Sequence, residues 1–190
     1  HPIETVGEHA TNSVFLTDVF IPDEYVVGEI NHGWVYICEA LNYERFTFYT
    51  IAPLEQKFKE LVELTNQVKR DGVLLSEIPD IRKKIIYLFA DVQKAKVLQR
   101  KVLSVAIQDE VPQTEAAVFK LFSTKLHQKL ANQAMDILGR EGLFRKEYDK
   151  SHANGKWEWS YRSTLVDTIG AGTTEIQKNT IAKKSLKLPL

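Results

Sequence analysis

The sequence predicts a mainly α protein, an antiparallel four-helix bundle preceded by a short β segment. Beyond His32, apolar residues recur at three- and four-residue spacing almost to the C-terminus, which is helical periodicity. Alternation with period two is confined to the first thirty residues. Proline and glycine fall between the periodic stretches, where helix starts, stops and turns belong.

In chain order, SVFLTDVFIP alternates, is rich in Val and Phe, and reads as a strand that Pro22 ends; DEYVVGEINHG then reads as a loop. The first helix is expected from about Trp34 through Tyr49, with Pro53 kinking or interrupting it before it continues to about Val68. KRDGVLLSEIPD is a loop turning at Asp71-Gly72. The second helix has Pro79 near its start, where a missing N–H costs nothing. Its apolar stripe is Ile81, Ile85, Leu88, Val92 and Ala95, running on toward Val102 and Ala106. The third follows QDEVPQT, carries Phe119, Phe122, Leu126, Leu130, Ala134 and Ile137, and stops at GREG, where glycine can take a left-handed cap conformation. RKEYDKSHANGKWEWSY is expected to be a polar loop, and the last helix carries Ile176, Thr180, Ile181 and Leu186. Four helices with one-sided stripes make a bundle.

Bulk composition narrows the partners. Lys+Arg and Asp+Glu both number 25, so no excess of positive charge points to nucleic acid or to an anionic membrane. A neutral surface favours self-association. Cys38 is the sole cysteine, which excludes an internal disulfide and fits a reducing compartment; it reads as a small buried hydrophobe. No apolar run approaches the ~20 residues of a membrane span and no signal peptide is visible, so the expected location is cytoplasmic. HPIETVGEHATN, with no initiator Met, reads as mid-chain sequence, and the chain is expected to be a fragment.

Bundles hold metals between helices, but a di-iron carboxylate site needs paired Glu-x-x-His motifs with two more Glu. The chain has one such tetrad, Glu29 to His32, placed in a loop, and His127 and His152 read as surface or loop residues; no metal site is expected. Glu44 is more informative. At helical spacing its neighbours are Ile37, Ala40, Leu41, Phe48 and Ile51, so a carboxylate interrupts an apolar stripe. Such a group either pairs with a cation such as Arg45, or is partly desolvated and basic enough to take a proton. In GAGTTEIQ, Thr174 and Gln177 fit a capping box, which explains the polar residues as helix initiation. It leaves Gly170 and Gly172 unexplained, and these would let backbone approach a flat or anionic ligand. Trp157, Trp159 and Tyr161 are either packing or a stacking surface, and spacing does not separate the two.

Three stretches, FLTDVFIPDEYVVGEINHGW, LNYERF and IGAGTTEIQKNTIAKKSLKLP, together resemble the C-terminal half of an acyl-CoA dehydrogenase. The resemblance covers nearly the whole chain, with residues 1–30 matching the end of the family's middle β-domain and linker and residues 31–190 its C-terminal helical bundle. It implies α,β-dehydrogenation of an acyl-CoA thioester: a glutamate takes the α-proton, FAD takes the β-hydrogen as hydride, and an electron-transfer flavoprotein takes the electrons. Many members carry the base just before the Gly-Thr of the terminal motif, where this chain has Ala171. Other members place it in a Glu-Arg pair on the first long bundle helix, which corresponds to Glu44 and Arg45, with Leu41 beside the substrate pocket. Absence at one position and presence at the other is a consistent swap. Gly172, Thr173 and Glu175 match positions that contact the flavin.

Two segments depart from the family. KRDGVLLSEIPD replaces an Arg-x-x-Phe-Gly segment, and DILGRE has Asp136 and Arg140 where Gln and a second Gly are usual, which alters the adenine side of an FAD site. Both departures resemble the bacterial branch that handles bulky or degradative substrates, part of which works as paired unlike subunits. The resemblance implies a homo-oligomer or a hetero-oligomer of related subunits. A non-catalytic partner subunit, a helical oligomerisation module and an oxidase stay open as alternatives.

Overall fold

The structure is a computed structural model that describes the chain apart from residues 7, 48, 49, 109, 149, 150 and 190; the side chains of residues 8–10, 42 and 45–47 also lie outside the description. It divides into two compact units, His1–Ala40 and Leu41–Leu190.

In the first unit, β1 (Pro2–Thr5) and β2 (Glu8–Asn12) form an antiparallel hairpin with a register shift between Ile3 and Glu4. The strand expected at residues 13–22 is absent. Phe15, Leu16 and Phe20 are 73 %, 81 % and 85 % exposed, and this segment pairs with no strand among the described residues. An alternating sequence becomes a strand only when a neighbour takes its backbone hydrogen bonds and covers one face.

Helix α1 (Gly33–Thr47) begins in the first unit and continues into the second. Helix α2 (Ile51–Thr65) starts after a break, with Pro53 in its first turn. Proline is accommodated there because the first-turn N–H groups have no helical acceptor. Thr50 provides no side-chain cap, and the Ile51 N–H donates instead to Gln99 Oε1 at 3.4 Å. The expected loop after α2 contains a small hairpin, β3 (Lys69–Arg70) and β4 (Val73–Leu74), turned by Asp71 (φ 53°) and Gly72 (φ 83°). Two successive positive φ angles match the right-handed twist of a two-residue hairpin.

Helix α3 (Pro79–Ala106) buries Ile81, Leu88, Ala95 and Val102 at seven-residue spacing, with Val92 between them, as its stripe predicts. Helix α4 (Gln113–Leu138) buries Phe119, Leu126, Leu130, Ala134 and Ile137 against them. It ends at Gly139 (φ 62°), where Arg70 Nη2 donates to the Ile137 carbonyl at 2.5 Å. The bundle's fourth member is α5 (Lys156–Asp167), which begins within the stretch expected to be loop, residues 145–161, and runs beyond it. Its buried positions Trp157, Ser160 and Thr164 share a helical face but are mostly polar, so no apolar stripe announces them. Trp157 joins the core, while Glu158 receives Arg162 Nε at 2.8 Å and Nη2 at 3.0 Å.

The last helix is shorter than expected: α6 (Thr174–Thr180) passes into a π turn at Ile181–Ser185, and Ile176 and Leu186 are exposed. Helix α4 is the central element, packed on α2, α3, α5 and α6. No helix among the described residues is long and apolar enough to cross a membrane.

Candidate active site

The expected site residues lie on α1, on the turn before α6 and, for Glu175, in the first turn of α6 itself. Leu41 and Glu44 are half-buried. The Arg45 side chain and Phe48 lie outside the described residues. Of the stripe expected to desolvate Glu44, Ile37 is 48 % exposed and Ala40 is exposed, whereas Leu41 and Ile51 are half-buried. A carboxylate on such a face keeps access to water unless another surface covers it.

The turn at residues 168–173 is closely determined. The Gly170 N–H donates to the Val166 carbonyl at 2.9 Å, and the Thr174 N–H donates to the Thr168 carbonyl at 3.0 Å. Ala171 and Gly172 both have positive φ, 51° and 83°. An alanine there is uncommon and must be held by its surroundings. A Cβ on Gly172 would lie 2.7 Å from Gln177 Nε2, so any other residue would strain φ and also displace that amide.

The N-cap of α6 is Thr173, one residue before the Thr174 of the expected capping box; its Oγ1 accepts from the Ile176 N–H at 3.3 Å. Gln177 therefore falls one position beyond the capping-box glutamine, and its amide turns elsewhere. Gln177 Nε2 donates to the carbonyls of Ala171 (3.2 Å) and Gly172 (3.1 Å). Glu175 is exposed in the first turn, where a negative charge complements the helix dipole.

Two residues beneath this turn escaped the sequence reading. Lys120 of α4 is 0 % exposed, and its Nζ donates to the Gly172 carbonyl at 2.6 Å. Its neighbours one turn away are Ala116, Ser123 and Thr124, small residues that let another segment approach the helix closely. A lysine set among small residues was the available signal. The second is His127, expected at the surface or in a loop. It lies on α4 with its side chain 16 % exposed, and its Nδ1 meets Asp167 Oδ2 at 2.8 Å.

Because a trans peptide points its N–H opposite its C=O, inward carbonyls at Ala171 and Gly172 direct the Gly172 and Thr173 N–H groups away from Gln177 and Lys120. Among the described residues neither N–H has a protein acceptor. Trp157 is core, whereas Trp159 and Tyr161 are 42 % and 50 % exposed. Residues two apart on a helix face nearly opposite ways, so these rings share no stacking surface.

The two segments that depart from the family pattern meet in space. A cavity of about 420 Å³ lies between the β3–β4 hairpin and the end of α4, lined by Lys69, Arg70, Asp71, Asp136, Arg140 and Glu141. Three cations face three acids there, and Arg70 is already committed to the Ile137 carbonyl.

Elsewhere charges brace the bundle. Hydrogen bonds from Arg162 hold the Glu158 carboxyl below its usual range against the opposing effect of burial. Burial would raise Glu60, but hydrogen bonds from Lys156 and Gln56 outweigh it and leave the carboxyl lowered. The Lys57 ammonium is lowered by burial, in part offset by Asp167. No group of three or more His, Cys, Asp or Glu among the described residues could hold a metal ion; His32 Nδ1 lies 3.4 Å from Glu29 Oε2 and 3.3 Å from the Ile30 carbonyl.

The chain is similar to acyl-CoA dehydrogenase FadE26 of Mycobacterium tuberculosis, at 27 % identity over 99 % of this chain and 48 % of that protein. It is also similar, at 25 % identity, to the caffeyl-CoA reductase-Etf complex subunit CarC of Acetobacterium woodii, over 94 % of this chain and 45 % of that one. The crystal structure of the ChsE4-ChsE5 complex from Mycobacterium tuberculosis superposes with a TM-score of 0.86 at 26 % identity, covering all of this chain and 50 % of its counterpart. The chain thus spans about half the length of the relatives it matches. Residues 31–186 match the family model described as acyl-CoA dehydrogenase, C-terminal domain, and the chain belongs to that family.

Proposed function

We propose that this chain is the C-terminal part of an FAD-dependent acyl-CoA dehydrogenase, with Glu44 as the base that removes the α-proton of an acyl-CoA thioester. Residues 1–30 are then the end of the middle β-domain and residues 31–190 the helical domain. The observation that carries the reading is the exchange of two positions: Ala171, which cannot take a proton, stands on the turn before α6, and Glu44 stands on α1.

A thioester carbonyl held by hydrogen bonds acidifies the adjacent carbon, and a carboxylate shielded from water is a suitable base for it. The open face around Glu44 receives its cover from the rest of the enzyme in this reading, with Leu41 lining the acyl pocket and Arg45 organising it. Gly172, Thr173 and Glu175 border the flavin. The turn suits that role, because two outward N–H groups without protein acceptors among the described residues match a ring edge that carries acceptors. FAD bound there would supply the hydride acceptor for the β-hydrogen. An electron-transfer flavoprotein is the proposed electron acceptor, in keeping with the Etf complex named for CarC.

A second reading, a catalytically silent subunit paired with a related active one, draws on the mixed-charge cavity of Asp136 and Arg140 and on the ChsE4-ChsE5 complex. The complete protein, assayed on a panel of acyl-CoA thioesters with an artificial electron acceptor, separates the two. Turnover with bound yellow flavin supports the first, and neither flavin nor turnover without a related partner supports the second. The isolated chain is expected to be inactive even with added FAD, and dehydrogenation by it would refute the view that further parts complete the site.

A further inference from the structure

A buried ammonium lies under the turn. Lys120 sits on α4 at 0 % exposure, where packing alone would call for an apolar or small residue. Burying an ammonium is costly unless it is hydrogen-bonded, and here it donates to the Gly172 carbonyl at 2.6 Å. Gln177, also 0 % exposed, donates to the same carbonyl and to that of Ala171, while its own Oε1 is buried without a partner among the described residues. An amide that leaves its acceptor unsatisfied in order to donate twice is oriented by those two carbonyls. Seven residues along α4 from Lys120, on the same side of the helix, His127 binds Asp167. One face of α4 therefore holds both ends of the segment from Asp167 to Gly172.

We propose that Lys120 is a positioning residue for the Ala171-Gly172-Thr173 turn: its buried ammonium, together with the Gln177 amide, fixes two strained peptides with their carbonyls inward and their N–H groups outward. Lys120 touches neither substrate nor cofactor in this scheme. It acts through the turn, by keeping Ala171 and Gly172 at positive φ and by presenting the Gly172 and Thr173 N–H groups in one orientation. That the acceptor of those N–H groups is a flavin rests on the function proposed above. The holding of the turn does not.

The test uses the complete protein as wild type, Lys120→Met and Lys120→Arg, with two readouts. The first is hydrogen exchange of the Thr174, Ile176 and Gln177 amides, whose acceptors are the Thr168 carbonyl, Thr173 Oγ1 and the Thr173 carbonyl. The second is the FAD dissociation constant measured by flavin fluorescence. Lys120→Met should speed exchange at all three amides by about tenfold or more, leave α4 amides from Leu130 to Ile137 unchanged, and weaken FAD by about tenfold. Lys120→Arg should recover most of both effects. Exchange at the three amides within about twofold of wild type, or acceleration spread equally along α4, overturns the proposal. Should Lys120→Met not fold, Gln177→Met, which removes the other donor, must speed the same three amides, and unchanged rates there overturn it. If exchange responds as expected but the wild-type protein binds no FAD, the positioning role stands and the flavin reading fails.

Discussion

Two tryptophans of α5 offer a sharp test of how the bundle closes. Trp157 is 1 % exposed and Trp159, two residues later, is 42 % exposed. On a helix these side chains are about 200° apart, whereas in an extended segment they would share a face and a fate. A core tryptophan buries roughly 150–250 Å². At about 25 cal/mol per Å², that is ~4–6 kcal/mol, an upper bound that the measured cost of about 3–5 kcal/mol for core Trp→Ala substitutions brings down to ~4. Trp159→Ala should cost under about 1 kcal/mol, as partly exposed positions do. At about 2–4 °C per kcal/mol for a domain of this size, Trp157→Ala should lower the melting temperature by roughly 8–16 °C and Trp159→Ala by under about 4 °C. Far-UV circular dichroism melts of the complete protein, checked by urea unfolding, read the difference. Equal losses at the two positions would refute the helical placement of residues 156–167.

Other consequences follow from the same geometry. Glu158, Glu60 and Asp91 all have carboxyl pKa values lowered in the folded state, with Arg162, Lys156 and Lys129 respectively as the chief favourable partners. Folded values below unfolded ones mean that the stabilisation is complete above the ordinary value near 4.5 for glutamate and is lost as pH falls through the folded value. Melting temperatures between pH 7 and pH 3 should therefore fall mainly on the acid side of about 4.5, and Glu158→Gln should flatten that limb. Gly172→Ala forces φ +83° on an L-residue and presses a Cβ on Gln177, so a loss of about 1–2 kcal/mol is expected in thermal unfolding. An unchanged melting temperature would mean the turn relaxes into another conformation.

The sequence disclosed most where one residue type repeats on one face. The stripe of α3, with Pro79 at its first position and Ile81, Leu88, Ala95 and Val102 inside, is readable because a long helix in a core needs little else. The stop at Gly139 was legible for the same reason, since few residues accept its positive φ. Residues 13–22 misled because alternation describes a face that wants covering, and among the described residues no strand pairs with it. Helix α5 was hidden because its inward residues include Glu158, Ser160 and Thr164, satisfied by ion pairing or fitted by size rather than by hydrophobicity. At the candidate site, Glu44 and the Gly172-Thr173 turn could be named from motifs, but their support could not. Lys120, His127 and Gln177 are polar residues whose roles depend on which backbone passes over α4, and that is a tertiary fact.

The central claim is that Glu44 is the base. Its most direct measurement is the dehydrogenation rate of the complete protein carrying Glu44→Gln, on the best thioester of the panel and with flavin content checked by absorbance. A general base contributes about 10²–10⁴-fold, so kcat should fall by that factor while flavin stays bound. A variant that retains flavin and turns over within about tenfold of wild type would contradict the assignment and return the search to another acid.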